Sequence, residues 1–435
     1  MTRQLRPALC GFRLLLLGLG TSVTITCLAL TYCVGNLDTQ TNEDRNLAEE
    51  VQEDVREESK IRQLQDKIEE LEEQLSMEKQ RPRPIDMPQT GLRPIRTCAE
   101  KTNFVFIKTH KSGSETMTSL FHRYGDERML EFVLPRGDIN DWYLGWPKPI
   151  TKDIYRPAKS GTFNIMCEHT VFNKPAMSKV MPKDTVYVTI LREPFEQFKS
   201  SFKYHLLPKI LGISETSDAL LEFFKQPETY DDIYTSGAEE VRKVRTGIPD
   251  GVSVTRNFMA HDLGYPREQW GNSTYLEEFI KYIDKEFIFV MILEYFEESL
   301  VLLKSTMCWE FQDIVYHPSN VAAYPYKKDR RENLVDAHRN FSKIDYALYQ
   351  HFKRTLWKRI KQGGQDFKEE LEAFRKIQRV TTRYCESKET TPLSFPSTKW
   401  SMEVRITRHF CSRYRLDTGG YLDHVLKKRY DGLLT

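Results

Sequence analysis

The chain has 435 residues, enough for one large folded domain together with accessory segments. Its formal net charge of +2 argues against a protein held to nucleic acid by bulk electrostatics, so any anion site must be local. Aromatic residues make up 12% of the sequence, which is typical of a packed enzyme and excludes a disordered chain.

The first predicted element is an apolar segment, residues 14–34, that carries no charged side chain. Its length suits a helix that crosses the hydrocarbon layer of a membrane. Arginines precede it and acidic residues follow it, so the positive-inside rule makes residues 1–13 a cytoplasmic tail and places the rest of the chain in a lumen. A cleaved signal peptide is the alternative, although the segment exceeds the usual apolar core of about 7–15 residues. We therefore expect a single-pass type II signal anchor.

Residues 35–95 are predicted to form a helical stem. Apolar residues recur there at alternating spacings of three and four: Ile61, Leu64, Ile68, Leu71 and Leu75. This seam of about two heptads fits a short coiled coil, which would make a homodimer through the stem, and equally a solvated single helix. The proline-rich segment after Arg81 ends the helix and forms a stiff spacer. Residues 96–435 then form a lumenal domain.

Strand-like and helical patterns alternate through this domain. The predicted buried strands are 103–107, 162–167, 185–191 and 287–293. The predicted helices are 114–124, 194–205, 276–282, 296–307 and 346–379, the last broken at Gly363 and Gly364. This alternation predicts an α/β fold whose central, mostly parallel sheet is flanked by helices.

Five cysteines follow the anchor: Cys98, Cys167, Cys308, Cys385 and Cys411. In an oxidising lumen they would form disulfides, and because five is odd at least one stays free or pairs between chains. None has the close Cys-x-x-Cys spacing of a zinc site, and no metal is expected. Asn272 and Asn340 begin glycosylation sequons, which agree with a lumenal domain.

The loop between the first predicted strand and the first predicted helix is suited to an anion. It contains Lys108, Lys111, Ser112, Gly113 and Ser114, with Thr116 in the first helical turn. A helix N-terminus offers unpaired N–H groups, the glycine allows close backbone approach, and the lysine adds charge. The loop lacks the G-x-x-x-x-G-K-[ST] pattern of nucleotide hydrolases, which disfavours a kinase or ATPase. The loop predicts a phosphate site similar to a P-loop; an ordinary strand–helix turn is the alternative.

A second segment repeats this arrangement later in the chain. Arg192 follows the strand 185–191, and Pro194 opens the next helix. Ser200 lies off the buried phenylalanine stripe of that helix and can face a ligand. Because ligands collect at the carboxyl edge of an open α/β sheet, Arg192 is placed for a second phosphate. Pairing of Arg192 with a carboxylate is the alternative.

Together the two segments resemble the sulfotransferases that use 3′-phosphoadenosine 5′-phosphosulfate (PAPS). In that family a lysine-containing loop holds the 5′-phosphosulfate, and an Arg-x-Pro with a serine eight residues after the arginine holds the 3′-phosphate. Here Lys111-Ser-Gly-Ser-Glu-Thr carries the first motif, and Arg192, Pro194 and Ser200 carry the second.

More narrowly, most of residues 98–310 resembles the galactose-3-O-sulfotransferase family. The similar segments are Ile107-Lys-Thr-His-Lys, Phe163-Asn-Ile-Met-Cys-Glu-His, Leu191-Arg-Glu-Pro, Asp262-Leu-Gly-Tyr and Glu294-Tyr-Phe-Glu-Glu-Ser-Leu. The stem and the residues after about 320 match poorly, and Ser397-Thr-Lys-Trp-Ser-Met departs from the family pattern, which puts the acceptor in doubt more than the reaction.

The resemblance implies a Golgi enzyme that transfers a sulfuryl group from PAPS to the 3-hydroxyl of a galactose, in a glycolipid such as galactosylceramide or in a galactose-terminated glycan. His169, just after the strand 162–167, is the expected base, with Glu168 as runner-up; His110 is expected to shape the loop. Lys111 would stabilise the oxygen between phosphorus and sulfur, Lys108 would be structural or a secondary contact, and Arg256 would reach the nucleotide.

Aromatic residues of a Gly/Pro-rich loop would stack on a sugar or else pack the loop onto the core: Trp142, Tyr143 and Trp146. Two other functions remain open from the sequence. One is a sulfotransferase for a uronic-acid or hexosamine polymer, whose polyanionic acceptor would demand a broad basic cleft. The other is an inactive lumenal glycan-binding protein.

Overall fold

The computed structural model describes residues 98–136, 143–213, 218–245, 247–317 and 330–430. The predicted cytoplasmic tail, signal anchor and coiled-coil stem lie outside these ranges, as does Trp142. Among the described residues, no helix combines the length and the apolar character that a membrane span requires.

A four-stranded sheet in the order β2-β1-β3-β4 forms the centre of the domain. Its strands are β1 (Phe104–Ile107), β2 (Ile165–Met166), β3 (Val186–Leu191) and β4 (Phe287–Ile292). Every neighbouring pair is parallel, so the four carboxyl ends lie at one edge of the sheet. All four residues of β1 are buried, as in an inner strand covered on both faces. The predicted α/β fold with a parallel sheet is confirmed.

Helices cover the sheet and extend beyond it. The longer ones are α1 (Ser114–Glu127), α3 (Pro194–Tyr204), α6 (Pro227–Thr235), α9 (Ser273–Glu286), α10 (Phe296–Met307), α12 (Glu332–Phe341), α13 (Lys343–Glu386) and α15 (Thr418–Tyr430). The shorter ones are α2 (Lys174–Met177), α4 (Leu207–Ile210), α5 (Ala219–Phe223), α7 (Glu239–Val244), α8 (Phe258–Asp262), α11 (Phe311–Ile314) and α14 (Arg408–Tyr414). A small antiparallel hairpin, β5 (Leu393–Phe395) and β6 (Val404–Ile406), precedes α14.

Several elements differ in extent from the sequence-based prediction. The predicted helices 114–124 and 276–282 are longer, at Ser114–Glu127 and Ser273–Glu286. The second strand is only two residues long, because Gly161 adopts a left-handed conformation and Ser160 hydrogen-bonds the carbonyl of Thr162 in an exposed turn. The long C-terminal helix begins at Lys343 and ends at Glu386, further out on both sides than predicted. Its predicted break is confirmed at Gly364, where φ is 57° and ψ is −135°.

Two disulfides tie distant parts of the domain together. Cys98 is bonded to Cys308, across 210 positions of the sequence, and Cys385 is bonded to Cys411. Cys167 is free and buried at the end of β2. The prediction that at least one of the five cysteines does not pair with the others is therefore confirmed.

Candidate active site

The carboxyl edge of the sheet collects the side chains that the sequence singled out. Lys108 and His110 follow β1, His169 follows β2, and Arg192 follows β3. The Arg192 guanidinium donates a hydrogen bond of 3.0 Å to the carbonyl of Lys111. The two predicted phosphate motifs are thus in direct contact, and no carboxylate of the described chain lies within 4.0 Å of the Arg192 nitrogens, so the alternative that it pairs with a carboxylate finds no support.

The loop between β1 and α1 has an unusual backbone. Lys111 has a φ of 59° and Gly113 a φ of 78°, and a left-handed conformation is unfavourable for any residue other than glycine. A Cβ at position 113 would lie 2.7 Å from a terminal methyl of Leu293, which would have to move. The turn delivers the backbone directly into the N-terminus of α1, where the first N–H groups have no partner within the helix.

The loop serines hold the loop in this shape. The hydroxyls of Ser112 and Ser114 both donate to the carbonyl of Thr109, at 2.8 and 2.7 Å. Ser112 is fully buried. As binding residues both stay predictions, and in this conformation their protons serve the loop itself. Thr116 lies in the first turn of α1 and lines a small cavity of about 20 Å³ with Arg123 and Arg413.

The two lysines of the loop have opposite surroundings. Lys108 is 1% exposed, and its ammonium pairs with Glu115 at 2.9 Å. Burial lowers its pKa, but the carboxylates of Glu115 and Glu168 outweigh burial and raise the pKa above its ordinary value. The ammonium of Lys111 instead lies 3.5 Å from the centre of the Tyr204 ring. Burial lowers the pKa of Lys111 to about 8; Glu115 opposes this shift and Arg192 reinforces it.

His110 is held more firmly than the sequence indicated. Its Nδ1 lies 2.9 Å from the carboxylate of Asp262, and its backbone N–H donates to the same carboxylate at 2.7 Å. The Trp146 indole donates to Asp262 at 2.9 Å as well, and Asp262 is fully buried. With Nδ1 on a carboxylate, the second ring nitrogen of His110 is the one left for other partners. Sequence reasoning missed the His110–Asp262 pair, because 152 positions separate its members.

His169 stacks on His110, with ring centres 4.3 Å apart and an interplanar angle of 22°. Its Nδ1 is buried and accepts or donates no hydrogen bond among the described residues. Burial, reinforced by electrostatic repulsion from Lys108, His110 and Lys111, holds the pKa of His169 well below its ordinary value. The imidazole is therefore neutral at physiological pH and able to accept a proton.

A pocket of about 290 Å³ opens beside the two histidines. It is lined by His110, Tyr143, His169, Tyr204, His205, Leu206, Tyr234, Val244, Gly247 and Ile248. No lysine, arginine, aspartate or glutamate is part of this described lining. Burial is the main cause that lowers the pKa of His205 to about 3, so that histidine is neutral too.

Glu168, the runner-up base, points away from this pocket. It is fully buried, and its carboxylate pairs at 2.9 Å with His122, which is also fully buried. No hydrogen bond joins Glu168 to His169 among the described residues, and Glu168 is not part of the described pocket lining, so its role as runner-up base stays a prediction without support from this arrangement. A group of three side chains could hold a metal ion: His122, Cys167 and Glu168. Two of its members already lie close together, with His122 Nε2 2.9 Å from a Glu168 carboxylate oxygen.

The remaining predicted site residues are Arg256, Ser200 and the aromatic residues of the Gly/Pro-rich loop. The Arg256 guanidinium donates through Nε to the carbonyl of Phe341 at 2.9 Å and covers the ring of Trp270, and its contact with a nucleotide stays a prediction. Ser200 is half-buried on α3. Trp146 is buried against Asp262, which supports the packing alternative for that residue, whereas Tyr143 lines the pocket.

Both predicted glycosylation asparagines are exposed. Asn272 forms the N-cap of α9, and Asn340 lies near the end of α12. Exposure is necessary for a sequon to carry a glycan. Their modification stays a prediction.

Comparison with known proteins gives one family. The sequence model of the family "Galactose-3-O-sulfotransferase" matches residues 76–393. Human galactosylceramide sulfotransferase is 30% identical over 274 residues, which cover 62% of this chain and 60% of the relative. Mouse galactose-3-O-sulfotransferase 2 is 30% identical, over 65% of this chain and 70% of the relative. The chain thus spans less than two thirds of the length of the human relative.

Among solved structures, the sulfotransferase from Alicyclobacillus acidocaldarius is similar at 12% sequence identity with a TM-score of 0.32. It covers 58% of this chain and 96% of its own.

Proposed function

Because the chain belongs to the galactose-3-O-sulfotransferase family, we propose that it transfers a sulfuryl group from PAPS to the 3-hydroxyl of a galactose. The observation that carries this proposal is the contact between Arg192 and the Lys111 loop beside a histidine-lined pocket. This contact places the anion-binding half of the site next to the acceptor-binding half, at the edge of the sheet where open α/β folds bind their ligands.

The donor half consists of the loop after β1 and the start of α3. The N–H groups at the N-terminus of α1 and the ammonium of Lys111 suit the 5′-phosphosulfate, and Arg192 and Ser200 suit the 3′-phosphate. The residues present fit such a ligand, because Lys111 and Arg192 bring two positive charges that no carboxylate of the described chain neutralises within 4.0 Å. PAPS would supply the activated sulfuryl group; no metal is part of the proposal.

The acceptor half is the pocket beside His169. Its lining of aromatic, aliphatic and neutral histidine side chains suits an uncharged sugar, whose apolar face packs on aromatic rings and whose hydroxyls find polar partners. A uronic-acid or sulfated polymer would require arginines and lysines along its path. The lining therefore favours galactose in a glycolipid such as galactosylceramide, or in a galactose-terminated glycan, over a polyanionic acceptor.

In the proposed reaction, His169 takes the proton of the acceptor hydroxyl as that oxygen bonds to sulfur. Lys111 stabilises the negative charge left on the phosphate oxygen when its bond to sulfur breaks, which yields a sulfate ester and adenosine 3′,5′-bisphosphate. The remaining residues bind and orient, since in-line transfers of this kind depend mostly on positioning and charge. His110, fixed by Asp262 and stacked on His169, is a second group that can hold this proton.

We place the reaction in the Golgi lumen, with the chain anchored as a single-pass type II membrane protein. The two disulfides support an oxidising compartment. The anchor over residues 14–34 and dimerisation through the stem rest on the sequence pattern alone. Glycosylation at Asn272 and Asn340 would agree with the same compartment.

A panel of acceptors tests the proposal. Membranes that contain the full chain are supplied with radiolabelled PAPS and, in turn, galactosylceramide, a lactoside, N-acetyllactosamine, a 3-deoxygalactoside and a uronic-acid polymer. We expect label on at least one of the galactosides and none on the 3-deoxygalactoside or the polymer. Preferential labelling of the polymer would contradict the acceptor assignment. Absence of transfer together with absence of a thermal shift by adenosine 3′,5′-bisphosphate would favour an inactive glycan-binding protein.

A further inference from the structure

The partner of the Lys111 ammonium is an exposed aromatic ring. Tyr204 is the last residue of α3, and 67% of it is exposed, which is unusual for a large aromatic residue beside an active site. The Lys111 Nζ lies 3.5 Å from the centre of this ring, within the range of a cation–π interaction. Tyr204 also lines the pocket that contains His110 and His169. One ring therefore contacts both the lysine and the acceptor pocket.

Other partners for this ammonium are already occupied. Glu115, the nearest acidic residue of the loop, pairs with Lys108 at 2.9 Å. Arg192 binds the Lys111 carbonyl, so it fixes the backbone of the lysine and repels its side chain. No carboxylate of the described residues lies within 4.0 Å of the Lys111 Nζ. The ring face thus directs a lysine whose backbone is already held in a left-handed conformation.

The position of Tyr204 on α3 places the Lys111–Tyr204 contact between the nucleotide side and the acceptor side of the site. Ser200 and Tyr204 are four residues apart, so they share one helix face and are separated by about 6 Å along the helix axis. Ser200 is the predicted contact of the 3′-phosphate, and the residues after Tyr204 line the acceptor pocket. The ammonium on the ring consequently lies on the route from the nucleotide side to the acceptor side.

We infer that Tyr204 is a positioning residue for Lys111, whose ring holds the lysine ammonium towards the acceptor pocket and stabilises its charged form. The inference rests on the proposed function, in which Lys111 acts as a cation. A ring has an advantage over a carboxylate here, because it attracts the ammonium without neutralising it and leaves its charge available to a phosphosulfate.

The groups around Lys111 determine how this contact affects its protonation. The charged and titratable groups that interact with it are Glu115 on α1, Arg192 after β3, His169 after β2 and His205 after α3. Burial and Arg192 favour the neutral amine, whereas Glu115 favours the ammonium. The Tyr204 ring, like Glu115, favours the charged ammonium. Without the ring, Lys111 should lose its proton at lower pH.

The test compares Tyr204→Leu with Tyr204→Phe in the full membrane-anchored chain, using PAPS and the best galactoside of the panel. We expect Tyr204→Leu to lower kcat about 5- to 30-fold and to move the alkaline limb of the kcat/KM profile for PAPS down by about half to one pH unit. The KM for the acceptor should change less than the kcat. Tyr204→Phe keeps the ring face, so its alkaline limb should stay at the wild-type position.

Lys203→Ala is the matched control, because it removes an exposed ammonium from the same turn of α3 and should leave the limb in place. Thermal unfolding of each variant verifies folding, and an exposed side chain such as Tyr204 should tolerate replacement. A Tyr204→Leu variant that raises only the acceptor KM would overturn the inference, since the ring would then be an acceptor platform. Equal shifts in Tyr204→Leu and Tyr204→Phe would overturn it too. If the wild-type chain transfers no sulfate, the proposed function fails first, whereas an active chain with an unmoved limb refutes the positioning role alone.

Discussion

The loop after β1 has two sides that use the same residue types in opposite ways. On the core side, Lys108 pairs with Glu115 and His122 pairs with Glu168, and three of these four side chains are almost completely buried. On the pocket side, the ammonium of Lys111 lies on the Tyr204 ring, and the Nδ1 of His169 has no hydrogen bond among the described residues. Charges that are paired and buried stabilise the loop, whereas charges and lone pairs left unpaired are available for a substrate.

Replacement of His169 should have the largest effect on catalysis. His169→Ala removes the proposed base, so we expect kcat to fall about 10²- to 10⁴-fold with little change in thermal unfolding. Steady-state transfer from PAPS to a galactoside measures this. Glu168→Gln on the core side is the comparison variant and should mainly lower the unfolding temperature. A Glu168→Gln variant that unfolds normally but is as inactive as His169→Ala would break the distinction between the two sides.

Replacement of Lys111 should have the next largest effect on catalysis. Lys111→Ala removes the charge that stabilises the leaving oxygen, so kcat should fall about 10²- to 10³-fold. Binding of adenosine 3′,5′-bisphosphate, followed by calorimetry, should weaken as well. Normal nucleotide affinity together with normal kcat would show that the cation on the Tyr204 ring takes no part in the reaction.

The pH dependence should reflect the same lysine. The pKa of Lys111 is lowered from its ordinary value to about 8, and the charged form is the active one. Because this pKa is that of the unliganded protein, it governs kcat/KM for PAPS, which is therefore retained below pH 8 and lost as the pH rises through this value, about tenfold for each unit beyond it. His169 has a depressed pKa, so it stays a neutral base and kcat should not fall between pH 7 and mildly acidic pH. A profile of kcat/KM for PAPS that rises steadily above pH 8 would contradict the assignment.

Replacement of Lys108 should have the smallest effect on catalysis. Lys108→Met retains the length of the side chain but leaves Glu115 and Glu168 without this ammonium. Because the Glu115 side chain is 44% exposed, water can solvate it, and we expect a stability loss of about 1–3 kcal/mol. Thermal unfolding measures the loss, and kcat should stay within about tenfold of wild type. A variant that unfolds normally but is inactive would assign Lys108 to the chemistry.

The elements of the sheet were predictable from sequence, because their apolar residues are contiguous in the chain. The phenylalanine stripe predicted on α3 is buried: Phe195, Phe198 and Phe202. Met117, Leu120 and Phe121 form a similar buried stripe on α1. The meeting of Lys111 and Arg192 at one edge also followed from the parallel order of strands.

Contacts between distant segments were not predictable in this way. Asp262 reaches His110 across 152 positions, and no spacing rule links a short helix to a loop so far away. Glu168 and His169 are adjacent in the sequence, so both were candidates for the base. Successive side chains at the end of a strand point to opposite sides, and the Glu168 side chain is buried in the core. The partner of Lys111 was equally hidden, because a tyrosine at a helix end carries no sequence signal for a lysine contact.

One measurement tests the central claim most directly: the rate of sulfate transfer from radiolabelled PAPS to a galactoside acceptor by the wild-type chain, by Lys111→Ala and by Lys108→Met. We expect transfer by the wild type, a loss of about 100-fold or more in Lys111→Ala, and a change of less than about tenfold in Lys108→Met. Equal loss in the two lysine variants, or undiminished transfer by Lys111→Ala, would contradict a division between a structural and a catalytic side of the loop.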